Sequence, residues 1–125
     1  MLQMPKKCLD TYALWEMVLG NPKFAFLLNQ PYVITNWTLI EFYKTLLQRF
    51  DKSTARMWYE RFKPLTEDVH METAIKAAEF QHDSKKEDMS LFDCIGYIFS
   101  LENDYDFVTG DKAFKDKKGV LFIQK

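Results

Sequence analysis

Asp10, Glu41, Asp93 and Asp111 are the residues of this chain whose types and placing invite chemistry. Each stands in a short signature: Leu9-Asp10-Thr11, Thr38-Leu39-Ile40-Glu41, Ser90-Leu91-Phe92-Asp93 and Thr109-Gly110-Asp111. Each also falls where a strand-like segment gives way to a helix. In an alternating α/β chain the C-terminal ends of parallel strands open on one crevice. Carboxylates gathered there repel one another, and two such charges about 4 Å apart cost roughly 4 kcal/mol at an effective dielectric near 20. A hard divalent cation with oxygen ligands removes that cost. The expectation is a Mg²⁺ or Mn²⁺ site, and the usual chemistry of such sites is hydrolysis of phosphate esters.

Every one of these acids has a plainer explanation. Glu41 with Thr38 reads as a helix capping box, and Asp93 with Ser90 has the same spacing. Asp10 reads as a solvated residue after a strand, and Asp111 as a turn residue beside Gly110. Taken singly, the capping reading of Glu41 is the stronger one. The metal reading rests on joint placement, helped by two helix N-termini whose dipoles favour ionised carboxylates in the same crevice. Glu16, Glu60, Asp83 and Asp106 read as solvated faces. Rival chemistries find less support. His70 and His82 lack zinc-ligand spacing, and there is neither a Gly-rich phosphate loop nor a G-x-S-x-G elbow. Cys94 could act as a nucleophile only with a lowered pKa, and Asp93 beside it works the other way.

The elements that must position these acids follow from periodicity and punctuation. Lys7 to Leu9 reads as a strand, Thr11 to Leu19 as a helix stopped by Gly20-Asn21-Pro22, and Pro22 to Leu28 as a second short helix. Tyr32 to Thr35 is strand-like. Leu39, Phe42, Tyr43, Leu46, Leu47 and Phe50 then form one apolar helical face, with Thr38 and Glu41 at its start. Ser53 to Arg61 reads as a helix anchored by Met57 and Trp58, and Phe62 to Leu65 as an edge strand broken by Pro64. Thr66 reads as an N-cap for a helix whose stripe is Met71, Ala74, Ile75 and Ala78. Gln81 to Met89 is a charged loop. Ser90 opens a helix burying Leu91, Phe92, Ile95, Ile98 and Phe99. Phe107 to Thr109 and Val120 to Ile123 are the remaining strands. The alternation implies a doubly wound parallel sheet between helical layers.

At 125 residues the whole chain, 1–125, is expected to be one domain with one core. A net charge of −1 argues against a simple electrostatic nucleic-acid binder, but setting four carboxylates aside as ligands leaves a weakly basic remainder. Cys8 and Cys94, without CxxC spacing, read as two buried thiols in a reducing cytoplasm. No secretory signal is visible, and the longest strictly apolar run, Phe24 to Leu28, is far too short to cross a bilayer. Aromatics reach 16%, more than such a core needs, which points to an interface. Trp58, Tyr59 and Phe62 cluster in a charge-rich segment, and at least one large ring is expected to face outward there.

The ordered set of motifs resembles PIN-domain proteins over nearly the whole length. Leu9-Asp10-Thr11, Thr35 to Glu41, Ser90 to Cys94 and Thr109 to Phe114 carry the resemblance. Among these proteins the chain is most similar to the small VapC-type toxin ribonucleases. The resemblance implies an α/β class, three-layer α/β/α PIN-like fold with a central parallel sheet, homodimers, and Mg²⁺-dependent endoribonuclease activity blocked by a separate antitoxin. It implies that Asp10, Glu41, Asp93 and Asp111 form the acidic site, with the metal held by Asp10, Asp93 and Asp111. Glu41 would orient water or complete a second metal site. Thr11 and Thr109 would support the acids through their hydroxyls, and Asp116 resembles an additional acid near the site. Cys94 departs from the small residue usual after the third acid. Lys112 and Lys115, near Asp111, and Lys44, one turn beyond Glu41, are candidates for steering RNA phosphates, with simple solvation as the equal alternative. The competing class is a non-catalytic module whose acidic pocket holds a structural ion or a protein partner. A phosphoacceptor domain is a more distant rival.

Overall fold

The computed structural model describes residues 5–124. Along the chain run β1 (Lys7–Leu9), α1 (Thr11–Val18), a 3₁₀ helix (Pro22–Asn29), β2 (Tyr32–Thr35), α2 (Asn36–Arg49) and α3 (Lys52–Phe62). After them come β3 (Thr66–Glu67), α4 (Met71–Asp83), α5 (Leu91–Glu102), β4 (Asp106–Thr109) and β5 (Val120–Phe122). The strands pair in parallel in the order β3-β2-β1-β4-β5. The order reverses between β1 and β4, so the crevice of this sheet opens where those two strands end.

Period-two alternation divides the core between the two faces. Leu9, Ile34 and Val108 point into the layer made by α1, α2 and α3. Cys8, Val33 and Phe107 point the other way, toward α4 and α5. In the first layer Phe42 of α2 is fully buried, with its ring 4.9 Å from that of Trp15 and 5.8 Å from that of Phe62. One ring thus ties three helices together, and truncating it to Ala is expected to cost about 3–5 kcal/mol. In the second layer α5 lies so close to the sheet that a Cβ at Gly96 would stand 2.9 Å from the Phe107 ring. At the opposite end of β1 from the crevice, Lys7 is 3% exposed and its Nζ reaches Asp106 Oδ2 at 2.8 Å.

Several elements differ from the sequence reading. The short helix expected from Pro22 forms, with 3₁₀ hydrogen bonding, over Pro22–Asn29. The cap of α2 is Thr35, whose Oγ1 accepts from the Thr38 backbone N–H at 3.0 Å. Thr38 and Glu41 therefore lie inside the helix and form no capping box. The buried face of α2 is Thr38, Leu39, Phe42 and Leu46, which leaves Leu47 and the C-cap Phe50 outward, at 40% and 57% exposed. In α3 the buried anchors are Ala55 and Phe62, whereas Met57 is exposed. Lys63–Leu65 is a 3₁₀ turn and Thr66–Glu67 is the edge strand, paired with Ile34 and Thr35; the N-cap of α4 is His70, and the Thr66 hydroxyl instead donates to the Phe62 carbonyl at the end of α3, at 2.9 Å. In α4 the face against α5 carries Thr73, Ala77 and Phe80, while Met71 and Ile75 are exposed. Trp58 stacks on Phe62 at 5.6 Å and Tyr59 sets its ring against Tyr43 at 6.1 Å; both are half-buried, and Tyr59 lines an open groove. Glu16 and Asp106 are not solvated faces: Glu16 is buried and accepts from Asn21 Nδ2, and Asp106 pairs with Lys7.

Candidate active site at the carboxyl ends of the strands

The crevice predicted by the strand order is a cleft of about 370 Å³, and Asp10, Glu41, Asp93 and Asp111 all line it. Each acid arrives on its own element. Asp10 follows β1 directly and caps α1, its Oδ1 accepting from the Ala13 N–H at 2.7 Å. Glu41 stands in the second turn of α2, where no capping duty holds it. Asp93 lies in the first turn of α5, whose cap is Ser90. Asp111 follows β4 and Gly110, and caps the 3₁₀ turn Lys112–Phe114 through the Ala113 N–H.

Two hydroxyls tie these acids down. Thr11 Oγ1 donates to Glu41 Oε1, joining α1 to α2 across the cleft. Thr109 is fully buried. Its Oγ1 accepts from the Asp111 N–H at 3.0 Å, and its hydroxyl favours the ionised Asp10 carboxylate. A Cβ at position 110 would run into the ring of Tyr12, so any residue but glycine there displaces that ring.

The electrostatics record how close the acids are. Burial, then the charge of Asp93, pushes Asp10 well above the ordinary carboxylate range, with a smaller push from Asp111. The Thr109 hydroxyl and the Ala13 N–H pull it back only in part. Burial, then Glu41 and Asp111, pushes Asp93 up to about 7. Burial, then the charges of Asp93 and Asp111, raises the Cys94 thiol to about 11, so a nucleophilic thiolate has no support here. Cys8 is raised to about 12, chiefly by burial. Among the described residues no group of three or more His, Cys, Asp or Glu side chains is preset to hold a metal ion.

The cationic and supporting residues fall differently from the sequence reading. Lys44 and Lys112 are exposed, and neither lines the cleft. Lys115 lies with its Nζ 5.8 Å from the centre of the Phe122 ring. Asp116 sits outside the cleft, in a neighbouring depression that it shares with Asp111, Lys112 and Lys117. The cation lining the cleft is Arg49, together with Thr45, Trp15 and Tyr12. The sequence held a signal for two of these. Thr45 and Arg49 follow Glu41 at steps of four, which keeps them along one side of a helix.

No protein-family model matches this sequence, and no curated protein matches it. Solved structures match in fold. A toxin–antitoxin complex from Klebsiella pneumoniae superimposes with a TM-score of 0.74 at 17% identity, over 95% of this chain and 99% of that one. VapC20 of Mycobacterium tuberculosis, described as a Sarcin-Ricin loop cleaving toxin, gives 0.74 at 16% identity, over 95% and 98%. DNA-bound VapBC of Salmonella typhimurium gives 0.73 at 17% identity, over 97% and 98%. The three-layer α/β/α architecture with a parallel sheet is thus the PIN-like fold of these structures. No helix among the described residues is long and apolar enough to cross a membrane.

Proposed function

We propose that this chain is a Mg²⁺- or Mn²⁺-dependent endoribonuclease, the toxin of a toxin–antitoxin pair acting in the cytoplasm. The observation that carries the reading is the convergence of Asp10, Glu41, Asp93 and Asp111 on one cleft at the switch point of the sheet. The chain spends stability on holding these groups together, since burial and mutual repulsion oppose the ionised forms of Asp10 and Asp93. A cation offsets that cost. Carboxylate oxygens are the donors a hard divalent ion takes.

In this reading Asp10, Asp93 and Asp111 hold the ion, which when bound would acidify a water and polarise the scissile phosphate. The chain's own groups prepare the geometry. Thr109 steadies Asp10 and the backbone of Asp111, and Thr11 fixes Glu41 at the α2 wall, where its carboxylate orients the attacking water. Attack of the water oxygen on phosphorus, in line with the leaving 3′-oxygen, breaks the P–O3′ bond. One product keeps a 5′-phosphate and the other a 3′-hydroxyl.

Likeness to toxin–antitoxin complexes supports a cognate antitoxin as partner, and a homodimer belongs to the same reading. A groove of about 670 Å³ lined by Leu39, Ile40, Tyr43 and Tyr59 offers such a partner an apolar surface.

One observation favours a second reading. With no ion-binding group preset among the described residues, the acidic cleft could serve without catalysis, taking a partner's basic side chain. Incubating the protein with a mixed RNA pool separates the two. The nuclease reading requires cleavage with Mg²⁺ or Mn²⁺ and none with EDTA. Intact RNA under every metal condition selects the binding module.

A further inference from the structure

Arg49 is the one cation among the described residues that line the acidic cleft. It follows Glu41 and Thr45 at steps of four along α2, which sets the three on one side of that helix. Its Cζ lies 5.2 Å from the centre of the Trp15 ring, and the Phe42 ring meets Trp15 at 4.9 Å. Such a contact uses the charge of the guanidinium but none of its five N–H donors. Among the described residues Arg49 forms no ion pair, although Glu41, Asp93 and Asp111 line the same cleft. The ion pairs there are made by Lys6, Lys7, Lys76 and Lys117.

Arg49 stands in the last turn of α2, where the helix dipole favours a positive charge. A lysine turned to solvent would serve the dipole equally well. The charge of the cleft gives a reason for an arginine that pairs with none of its carboxylates. Asp10, Glu41, Asp93 and Asp111 bring four negative charges when ionised, and one divalent ion offsets two of them. A phosphodiester carries a further negative charge into a cleft that is still anionic. Guanidinium is always charged, and its fork of donors matches two oxygens of a phosphate. Eight residues separate Arg49 from Glu41, about 12 Å along the helix axis. That span sets the contact on a phosphate beside the scissile one, toward the C-terminal end of α2.

We propose that Arg49 is a substrate-binding residue whose guanidinium grips a backbone phosphate flanking the scissile one, without regard to base or sugar. The inference rests on the nuclease reading for what the scissile phosphate meets, and it adds the residue that admits the strand to an anionic cleft.

The test uses the full chain at fixed Mg²⁺ with hydrolysis-resistant phosphorothioate oligoribonucleotides of two unrelated sequences, and with DNA of the same sequences, all single-stranded. Anisotropy of a label on the oligonucleotide gives the binding constant over a series of KCl concentrations. Losing one phosphate contact should flatten the slope of log K against log salt by about 0.7 for a single strand. Arg49→Gln should show that change and weaken binding about 10-fold at low salt. The loss should be equal for both sequences and for RNA and DNA, because the phosphate is common to all of them. Arg49→Lys should restore the slope and recover part of the affinity, as a point charge without the fork. On unmodified RNA the effect of Arg49→Gln should fall on KM rather than kcat, since a flanking phosphate is held alike in ground and transition states. A wild-type slope in Arg49→Gln, with or without a lowered melting temperature, would overturn the proposal. So would a loss confined to one sequence or to RNA, or a wild-type chain that binds none of the oligonucleotides. Cleavage keeps the two readings apart. Metal-dependent cleavage with wild-type slope and KM in Arg49→Gln removes the phosphate contact and leaves the nuclease standing. The expected slopes without any cleavage remove the nuclease and leave the phosphate contact.

Discussion

Replacing Asp93 by Asn should make the metal-free protein more stable at pH 8. Asp93 is half-buried in the first turn of α5, and burial, then Glu41 and Asp111, raise its carboxyl to about 7 from an ordinary 3.8. Such a rise corresponds to about 4 kcal/mol against the ionised folded state. Because the folded value is the higher one, nothing is lost while the group is protonated in both states, below about pH 4. Stability then falls as pH rises toward 7, by up to about 1.4 kcal/mol per pH unit, and the loss is complete above that. Asn has the shape of the acid without its charge, and the Asp93 N–H to Ser90 Oγ bond belongs to the backbone, so the cap of α5 survives. Solvent reaching Asp93 screens part of the repulsion, which leaves a gain of about 2–4 kcal/mol at pH 8. For a chain of this size that is a rise in melting temperature of roughly 6–20 °C. Thermal denaturation in EDTA at a series of pH values, wild type against Asp93→Asn, measures it. The gap should open between about pH 4 and 7 and then hold. Equal melting at pH 8, or a gap that widens as pH falls, would refute the electrostatic account of the cleft.

The same reasoning makes Mg²⁺ or Mn²⁺ stabilise the wild type more at pH 8 than at pH 5. At ten to a hundred times Kd the gain is about 1.4–2.7 kcal/mol, and a melting temperature indifferent to both ions at both pH values would contradict a shared acidic site. Gly110→Ala should destabilise the chain by about 1–3 kcal/mol, because its methyl group must displace the Tyr12 ring from the cleft wall. Urea denaturation checks this, and a wild-type midpoint would show that the ring moves at no cost. Light scattering of the purified chain should give about twice 14.9 kDa if the protein is the proposed homodimer. A strict monomer at about 100 μM would leave the exposed Ile40, Phe50 and Met57 to another partner.

What could be read from the sequence was whatever a local pattern determines. Tyr32–Thr35 and Asp106–Thr109 stand out by composition, and the apolar face of α2 repeats with the helical period. What escaped depends on partners distant in sequence. Thr66–Glu67 is too short to show any period and becomes a strand only because Ile34 and Thr35 lie beside it. The start of α2 was hidden because Thr38 and Glu41 imitate a capping box while Thr35, the last residue of β2, does the capping. The buried face of α4 was chosen by α5, which accepts Ala77 and leaves Ile75 outside. Asp10, Asp93 and Asp111 could be named because each follows a strand or opens a helix at a recognisable point, and Glu41 because Thr38-Leu39-Ile40-Glu41 imitates such a start. Their union with Trp15 and Arg49 could not, because it depends on how α1 and α2 pack.

The central claim, that the carboxylates at the switch point hydrolyse RNA with a bound divalent ion, is tested most directly by one rate. That rate is Mn²⁺-dependent cleavage of RNA by folded Asp10→Asn, Asp93→Asn and Asp111→Asn proteins beside the wild type. The account predicts a loss of more than about 100-fold in each, including the Asp93→Asn protein that melts higher than wild type, because ion binding and activation of water fail together. Wild-type rates in any of the three would remove that residue from the site. Cleavage that persists in EDTA would contradict the mechanism itself.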